Sequence, residues 1–472
     1  MNKYFKKEIK YFNVILFVIF VALTLYICFA KLGNSFLENW DEGFYAQVTK
    51  EMIKTKDFII PHWNGDLYLD KPPLSFWFDS FFSYLLGLSE FSIRITSAIS
   101  GFVTIILVVY IAFKNWGRLA AALAFSSLAL NNIFIWRART GNLDSLLTLL
   151  IFLSYVVMVQ KKYKYKYLLL GLLFGLIFLQ KAMIVIFPMA IFLAIEIFFN
   201  RKNLVKIYRN YLILILVFLL IAGSWLLLTV LKTKNTSFVD YFLFRSDQGV
   251  SHLDLSKFKI DYLSYAYYSL QRRFFYVFLA GLFFLIFKMN KSKELAILYF
   301  SLSLLVILSF TEKNNNWYLV PAMPFWALTV GYGGKKIVEV GSRFFNRNLI
   351  AILIFIPALY VSYKTFKVNI MSVVNTQASV SEVRSAKLIK NSSKESDRVM
   401  RLDFSYPVTL YYSDRKTYYY VKVDDYLYKL IKDNKINWIV GKKDIMDQFL
   451  KGNSSFKYKI INSGDETIAK II

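Results

Sequence analysis

The sequence predicts a polytopic α-helical membrane protein with a small α/β domain at its C-terminus. Of its 472 residues, 57% are hydrophobic and only 19% are charged, whereas about a quarter of the residues of a soluble globular protein are charged. The formal net charge is nevertheless +27, and the Lys and Arg residues form short clusters between long apolar segments. This spacing favours membrane spans over a nucleic-acid surface, which would need its cations on a water-facing domain. The single cysteine, Cys28, excludes a disulfide framework.

The first apolar segment, 12–30, follows a basic N-terminus with Lys3, Lys6, Lys7 and Lys10. It is long enough to span, and no small-residue cleavage site follows it, so we expect a retained helix with a cytoplasmic N-terminus. Further segments of roughly 14 to 22 residues are apolar enough for spans. They lie at 92–113, 119–136, 145–160, 167–180, 182–199, 210–231, 274–288, 294–311, 317–334 and 348–364.

The positive charge is distributed as the positive-inside rule requires for this topology. Dense basic loops fall on the predicted cytoplasmic side, at 114–118, 161–166, 201–209, 288–293 and 335–347. The other side receives the first loop (31–73), the turns at 137–144 and 181, the segments 232–273 and 312–316, and the C-terminal tail. Segment 74–88 is short and would reverse the later topology if it crossed, so we predict an interfacial or re-entrant helix there. An odd number of spans follows, about 11 to 13.

A change of composition near residue 371 predicts two domains. Residues 1–370 would form the transmembrane domain, and residues 371–472 a small extracytoplasmic α/β domain, because polar residues become frequent and short apolar stretches alternate with amphipathic ones. Strands are predicted at 399–404, 418–421, 438–440 and 458–462. Short helices are predicted at 424–433 and 443–450.

Adjacent carboxylates, Asp41 and Glu42, stand just beyond the first span. Carboxylates at the membrane surface can accept a proton from a hydroxyl or orient it. The structural alternative is that they cap a helix over 44–54. Lys71, before Pro72 and Pro73, has a similar pair of interpretations. It marks either the start of the next helix or a cation placed to bind a phosphate beside a helix N-terminus.

A second polar cluster, Arg137 to Asp144, lies on the same predicted side. Its two arginines, Arg137 and Arg139, run against the positive-inside trend, although a short loop tolerates them and Asp144 could cap the next helix. Lys181 interrupts an apolar run, which makes it a functional candidate, with snorkelling to the interface as the alternative.

The sequence contains little that indicates a metal or nucleotide site. His62 and His252 are the only histidines and lack the spacing of a metal site. No P-loop, Rossmann fingerprint, nucleophile elbow or CxxC is present, which argues against nucleotide chemistry. We therefore expect no metal and no cofactor.

Two linked motifs of the first loop resemble a known family. Asp41-Glu42-Gly43-Phe44-Tyr45 and Tyr68-Leu69-Asp70-Lys71-Pro72-Pro73-Leu74 resemble motifs of the lipid-carrier-dependent glycosyltransferases of the GT-C class. They are most similar to the branch that contains aminoarabinose lipid A transferases and protein O-mannosyltransferases. Three later elements match the same branch: Arg137 to Asp144, Lys181 after an apolar helix, and Tyr318-Leu319-Val320-Pro321-Ala322-Met323-Pro324. Phe44 and Asp70 depart from it, since aminoarabinose transferases often have Arg and Glu there. These two departures bear on which sugar is transferred and which acceptor receives it.

The resemblance implies a sugar donor on a polyprenyl phosphate, such as undecaprenyl phosphate, in the inner (plasma) membrane. The sugar would pass to a lipid A-type glycolipid or a protein at the extracytoplasmic face, by direct displacement with inversion. Asp41 would be the base or the carboxylate that orients the acceptor, with Asp144 and Glu42 in support. The donor phosphate would be bound by Lys71 and Lys181, helped by Arg137, Arg139, Arg245 and His252. The sugar or lipid would contact Tyr45, Tyr68, Asp70 and Tyr318.

Two other functions compete with this interpretation. A transporter or flippase of lipid-linked sugars would favour inverted repeats and paired broken helices, which the sequence does not show. An Asn-directed oligosaccharyltransferase of the same class would be expected to carry a Trp-Trp-Asp motif in the tail, which Asn437-Trp438-Ile439-Val440 does not match.

Overall fold

The computed structural model describes residues 3–160, 164–200, 208–236, 239, 258–287, 291–311, 315–371, 380–452, 456–463 and 465–472. Up to residue 371 the described chain is almost entirely helical, apart from a two-stranded hairpin, β1 (His62–Trp63) and β2 (Asp66–Leu67). Its helices are α1 (Lys3–Phe29), α2 (Asp41–Thr55), α3 (Leu74–Leu86), α4 (Glu90–Trp116), α5 (Arg118–Ala129), α6 (Asn132–Arg139), α7 (Asp144–Met158), α8 (Lys166–Lys181), α9 (Ile186–Asn200), α10 (Tyr208–Phe218), α11 (Ser224–Thr233), α12 (Asp261–Ser269), α13 (Arg273–Ile286), α14 (Ser292–Ser309), α15 (Met323–Gly341) and α16 (Arg347–Thr365).

Among the described residues, five helical stretches are long and apolar enough to cross a membrane, or seven if each sharply bent helix pair counts as one span. They are 90–116, 166–199, 208–233, 292–309 and 348–368, with the bent pairs 118–139 and 261–286. Two shorter apolar helices, Asn13–Phe29 and Asp144–Met158, add to the membrane region. The polytopic helical fold is therefore confirmed, whereas the count of 11 to 13 spans stays a prediction.

The longest of these stretches, 166–199, is not one straight span. Lys166 Nζ lies 2.8 Å from Glu196 Oε1, whereas thirty residues of continuous helix would separate these side chains by about 45 Å. The rings of Phe174 and Phe192 are also only 6.2 Å apart. Helices α8 and α9 thus fold back on each other through a short 3₁₀ turn, Ala182–Val185, and form a hairpin with Lys181 at its tip. This agrees with the two separate segments expected around Lys181.

Helix α3 is amphipathic, with apolar side chains on its outer face and polar side chains turned toward the rest of the protein. Phe81 and Tyr84 are 55% and 85% exposed, whereas Asp79 and Ser83 are buried against the rest of the protein. Asp79 accepts a 2.5 Å hydrogen bond from Thr96 Oγ1 on α4. A short helix with apolar side chains outward and polar ones inward suits a position against lipid without crossing it. The structure thus favours the interfacial placement of segment 74–88.

Small residues bring the central helices together. A Cβ added to Gly281 on α13 would lie 2.3 Å from the backbone oxygen of Thr329 on α15. On the other face of α15, a Cβ at Gly331 would lie 2.6 Å from the backbone oxygen of Ala120 on α5. Only residues without a side chain allow backbones this close, as is common between helices in membranes.

The C-terminal region contains a five-stranded sheet in the order β4-β3-β5-β7-β6. Strands β3 (Arg398–Arg401), β4 (Lys416–Tyr419) and β5 (Trp438–Lys442) are parallel, and β7 (Glu466–Ile471) is antiparallel to β5 and to β6 (Tyr458–Ser463). The helices of this region are α17 (Val380–Ser392), α18 (Tyr406–Ser413), α19 (Asp425–Asp433) and α20 (Lys443–Gly452). Helices α17 and α18 and strand β7 were not predicted. The small C-terminal α/β element is confirmed, and the boundary at 370/371 stays a prediction.

The sheet region is bonded directly to the first loop and to α2. The side-chain amide of Asn64 both donates to and accepts from the backbone of Thr417, at 2.8 and 3.0 Å. Lys50 Nζ lies 2.8 Å from Asp414 Oδ1. Burial alone would raise the pKa of Asp414, but the hydrogen bond and charge of Lys50 outweigh it and lower that pKa. The Tyr412 hydroxyl accepts from the backbone N–H of Leu37 at 2.9 Å.

Candidate active site

A cavity of about 730 Å³ lies where the first loop, the α6–α7 turn and the tip of the α8–α9 hairpin meet. Its lining combines polar and aromatic side chains with apolar ones. The polar and aromatic side chains are Trp40, Asp41, Phe44, Tyr45, Tyr68, Asp70, Lys71, Arg137, Asp144, Lys181, Thr311, Asn315, Trp317, Tyr318 and Tyr406. The apolar ones are Leu143, Leu147, Met183, Ile184, Leu304, Ile307, Leu308 and Pro321.

Four charged side chains alternate in sign along one wall. Arg137 Nη2 lies 3.1 Å from Asp41 Oδ2 and 2.6 Å from Asp144 Oδ2. Lys181 Nζ lies 3.1 Å from the other oxygen, Asp144 Oδ1. Asp144 and Arg137 are almost fully buried, whereas the Asp41 side chain is 33% exposed and the Lys181 side chain 23%. Pairing reduces the cost of burying the inner charges, and the two ends of the row, Asp41 and Lys181, remain accessible to a ligand.

Arg137 is fixed by rings as well as by carboxylates. Its guanidinium carbon lies 5.1 Å from the ring of Trp136 and 5.7 Å from the ring of Trp317, both within cation–π range. Trp136 is in turn held by Nε1–H bonds to both carboxylate oxygens of Glu38, at 2.8 and 3.0 Å. Within the described part of the chain, the buried Arg137 Nε–H has no acceptor. Because this nitrogen has almost no accessible surface, Arg137 acts on the cavity through its fixed positive charge and not through this donor.

Lys181 is the last residue of α8, and the chain turns sharply after it, with φ 23° at Ala182. Its Nζ lies 4.8 Å from the centre of the Tyr318 ring. The preceding residue, Gln180, donates to Ser75 Oγ at 2.6 Å and to the Leu143 carbonyl at 2.7 Å. The hairpin tip is thereby tied to the starts of α3 and α7, and the ammonium group is held over the cavity.

Asp41 is positioned by a strained turn. Trp40, directly before α2, has φ 69° and ψ −116°, a region that residues with a Cβ rarely occupy, at a cost of about 1–3 kcal/mol. This turn places the Trp40 ring at the cavity, with Asp41 as the first residue of the helix. Burial first, and then the charge of Asp41, raises the pKa of Tyr45 well above its usual value. The Tyr45 hydroxyl therefore stays protonated at neutral pH, so it can donate a hydrogen bond as well as accept one.

Most residues expected to act are brought together by the fold. Asp41, Asp144, Lys71, Lys181, Arg137, Tyr45, Tyr68, Asp70 and Tyr318 all line the cavity. The roles expected of them remain predictions.

Glu42 is placed elsewhere, inside the protein. Its carboxylate binds the Arg94 guanidinium through bonds of 2.7 and 2.8 Å, and it accepts from the backbone N–H groups of Gly141 and Glu38 at 2.8 and 2.6 Å. It is 2% exposed and does not line the cavity. Within the described residues, the polar contacts of Glu42 all join segments of the fold, which favours a structural role over the catalytic role expected from the sequence.

Arg139 also departs from expectation. It donates to the backbone carbonyls of Ile27 and Ala30, both at 2.7 Å, and so closes the end of α1 without lining the cavity. Its backbone-capping contacts replace the phosphate-binding role expected from the sequence. Arg245 and His252 lie outside the described residues.

Trp40, Trp317 and Tyr406 line the cavity but were missed as site residues. Trp40 had a local signal, since it directly precedes the acidic pair. Tyr406 had none, because its approach to Trp40 joins positions more than 360 residues apart. Of the two histidines, His62 pairs with Asp57 at 3.0 Å, and no cluster of three or more His, Cys, Asp or Glu side chains suited to a metal occurs among the described residues.

Comparisons with known proteins identify a similar family and similar folds. The family described as dolichyl-phosphate-mannose-protein mannosyltransferase matches residues 70–227. The crystal structure of ArnT from Cupriavidus metallidurans in the apo state superimposes with a TM-score of 0.75, over 97% of this chain and 98% of that one, at 15% identity. The protein has the ArnT-like GT-C fold. The same enzyme bound to undecaprenyl phosphate gives a TM-score of 0.72 over 96% of this chain and 97% of that one, at 16% identity.

Sequence relatives agree with the structural likeness. The undecaprenyl phosphate-alpha-4-amino-4-deoxy-L-arabinose arabinosyl transferase of Aeromonas hydrophila is 27% identical over 41% of this chain and 37% of its own length. An uncharacterized protein of Aquifex aeolicus is 27% identical over 66% of this chain and 62% of its own length. The chain thus spans less than two thirds of the curated relatives it matches. The GT-C resemblance predicted from the first-loop motifs is confirmed.

Proposed function

We propose that the protein is an integral-membrane glycosyltransferase that moves a sugar from a polyprenyl phosphate to a hydroxyl of a glycolipid or protein acceptor. The observation that supports this most strongly is the alternating row Asp41–Arg137–Asp144–Lys181 in a cavity that is also lined by eight apolar side chains. An anion with an apolar tail and a hydroxyl nucleophile need these two environments side by side. The ArnT-like fold and the transferase relatives support the same reaction class.

The cationic end of the row suits the donor phosphate. Lys181 is partly exposed, and Arg137 and Lys71 line the same cavity. Charge-assisted hydrogen bonds to phosphate are about twice as strong as neutral ones. Leu304, Ile307 and Leu308 line the cavity from one face of α14 and would receive the start of the polyprenyl chain.

Asp41 suits the role of base. Its carboxylate lines the cavity, is 33% exposed and is oriented by Arg137. In the proposed step the acceptor hydroxyl oxygen attacks the anomeric carbon from the face opposite the phosphate, and the bond from that carbon to the phosphate oxygen breaks. The hydroxyl proton passes to Asp41, and the bonding electrons leave with the phosphate, whose added charge Lys181 and Arg137 balance. Positioned proton transfer of this kind typically contributes 10²–10⁴-fold in rate, and inversion at the anomeric carbon follows.

The proposed location is the plasma membrane, with the N-terminus in the cytoplasm and the cavity and C-terminal sheet at the extracytoplasmic face. The basic loops between the apolar segments support this orientation. A flippase is not favoured, since the relatives with a named activity are transferases.

Two variants test the proposal in full-length protein. In nanodiscs, Lys181→Gln should weaken binding of undecaprenyl phosphate roughly ten- to a hundredfold, since a hydrogen bond to a charged group contributes about 1.5–3 kcal/mol. In membranes supplied with a radiolabelled polyprenyl-phosphate sugar pool, Asp41→Asn should lower transfer at least about a hundredfold. Lys459→Gln, on the exposed side of β6, is the matched control and should match the wild type. Wild-type binding by Lys181→Gln together with near-normal transfer by Asp41→Asn would overturn the assignment.

A further inference from the structure

Aromatic side chains from two distant parts of the chain meet at the cavity. The Trp40 ring lies 5.8 Å from Tyr406 and 6.5 Å from Phe404, in edge-to-face contact with both. Tyr406 stacks on Tyr419 at 4.2 Å with only 8° between the ring planes. Trp40 and Tyr406 line the cavity itself, so this aromatic cluster continues the site toward the sheet.

The cluster is exposed as well as ordered. Trp40 is 51% exposed, Phe404 60% and Tyr419 44%. Isolated exposed apolar side chains are common on any protein, but here three adjoin one another across the junction of the first loop and the sheet region. Large aromatic faces that stay open at the edge of a polar cavity are typical of ligand sites.

Sheet topology singles out the same edge. Strand β3 pairs with β4 on one side and with β5 on the other, in parallel, so the strand order reverses at β3. In open α/β sheets, ligands bind in the crevice outside the carboxyl ends of the strands at such a switch point. Phe404 follows the carboxyl end of β3, and Tyr419 is the last residue of β4. The edge at which the fold favours a ligand is therefore the one that contacts Trp40.

The loop that carries Phe404 is held by a buried cluster of charged side chains. Arg401, at the end of β3, is fully buried and binds both carboxylate oxygens of Asp403, at 2.8 and 2.7 Å, and also the carboxylate of Glu466. Asp403 in turn accepts from the Ser405 N–H at 2.7 Å. On the opposite side, Trp40 is fixed by its left-handed backbone. Both sides of the cluster are thus preorganised, which lowers the cost of binding.

We propose that Trp40, Phe404, Tyr406 and Tyr419 form the acceptor subsite, and that it binds a saccharide ring of a glycolipid. This inference rests on the proposed function. A pyranose has a flat C–H face that packs on an aromatic ring and a rim of hydroxyls that can reach the Tyr406 and Tyr419 phenols. Trp40 and Asp41 both line the cavity, so a saccharide that packs on Trp40 would share that cavity with the Asp41 carboxylate.

The test uses full-length protein in nanodiscs, with lipid A as the saccharide probe and a Ser/Thr-rich peptide as the alternative. Trp40→Ala and Phe404→Ala are compared with Tyr426→Ala, a control that removes another exposed aromatic of the sheet region, one that lies on α19 away from the cavity. Loss of one stacking partner should weaken lipid A binding roughly three- to tenfold in each cluster variant. The control should bind as the wild type does.

Three outcomes would overturn the inference: no binding of lipid A to the wild-type protein, equal binding by all variants, or a loss confined to the peptide, which would assign the cluster to a protein acceptor. Binding of undecaprenyl phosphate is measured on the same samples and should be unchanged in Phe404→Ala, because Phe404 does not line the cavity. If the proposed function is wrong, Lys181→Gln will bind undecaprenyl phosphate as the wild type does. If only the acceptor subsite is wrong, Lys181→Gln will still bind undecaprenyl phosphate more weakly than the wild type.

Discussion

The adjacent carboxylates Asp41 and Glu42 should respond in opposite ways to the same amide substitution. Glu42 is 2% exposed and shares a bidentate ion pair with Arg94, whose guanidinium also donates to the backbone carbonyls of Leu32 and Ser35, both at 2.9 Å. Glu42→Gln would leave a buried cation without its counter-charge. Breaking a buried pair in this way costs about 3–5 kcal/mol of the free energy of unfolding.

The corresponding change in melting temperature can be estimated from chain length. With an unfolding entropy of about 2.1 cal/mol/K per residue over 472 residues, Glu42→Gln should lower the Tm by about 3–5 °C. Asp41→Asn keeps a hydrogen-bond acceptor for Arg137 at a site that is 33% exposed, and Asp144 still balances the Arg137 charge. Its Tm should therefore stay within about 1 °C, because a partly exposed ion pair contributes at most about 1 kcal/mol. Its transfer rate should nevertheless fall at least about a hundredfold.

The assay combines fluorescence-detected thermal unfolding of the purified protein with sugar transfer normalised to folded protein. If Glu42→Gln melts like the wild type and loses transfer, the reasoning is refuted, and Glu42 regains the catalytic role that its sequence position suggested. If Asp41→Asn lowers the Tm as much as Glu42→Gln, Asp41 is a structural residue as well.

Two further predictions concern stability. Burial alone would raise the pKa of Asp57, but hydrogen bonds from Lys232 and His62 lower it to about 2. The contribution of Asp57 to the free energy of unfolding is therefore complete above its unfolded-state pKa near 3.8 and is lost as the pH falls toward 2. The Tm difference between wild type and Asp57→Asn should hold at pH 5 and vanish near pH 2, and a difference that persists there would contradict the assignment. Gly281→Ala should cost about 1–3 kcal/mol by overpacking, because its new Cβ would meet the Thr329 carbonyl. Gly223→Ala, with open space around its Cβ, should be tolerated, and equal Tm values for the two variants would contradict this packing.

Much of the membrane fold could be predicted because its signals are local. Apolar length marks the spans, and even the break at Lys181 was visible as a cation inside an apolar run. The hairpin of α8 and α9 confirms that break. The inverted amphipathicity of α3 could not be predicted from length alone, because it depends on Asp79 meeting Thr96 from another helix.

The structural role of Glu42 was hidden for a different reason. Its partner, Arg94, lies 52 residues later, and no spacing rule links them. An arginine at the start of a long apolar helix was nonetheless a signal of a buried ion pair, and it was applied only to Lys181. Strand β7 was missed because it depends on pairing with β5, which the local sequence does not reveal. Its Glu466 is typical of an exposed position, and only its ion pair with Arg401 explains why it is buried.

The α8–α9 hairpin has a consequence for the bilayer. Its first helix has 16 residues and is about 24 Å long, whereas the hydrocarbon core is about 30 Å thick. With its far end near one interface, the hairpin tip lies some 6 Å short of the other. In a bilayer such a mismatch is accommodated by local thinning, by entry of water or by snorkelling of Lys181, at a modest energetic cost. Lys181 would then lie below the level of the surrounding headgroups, so a lipid phosphate has to move inward from that level to reach it.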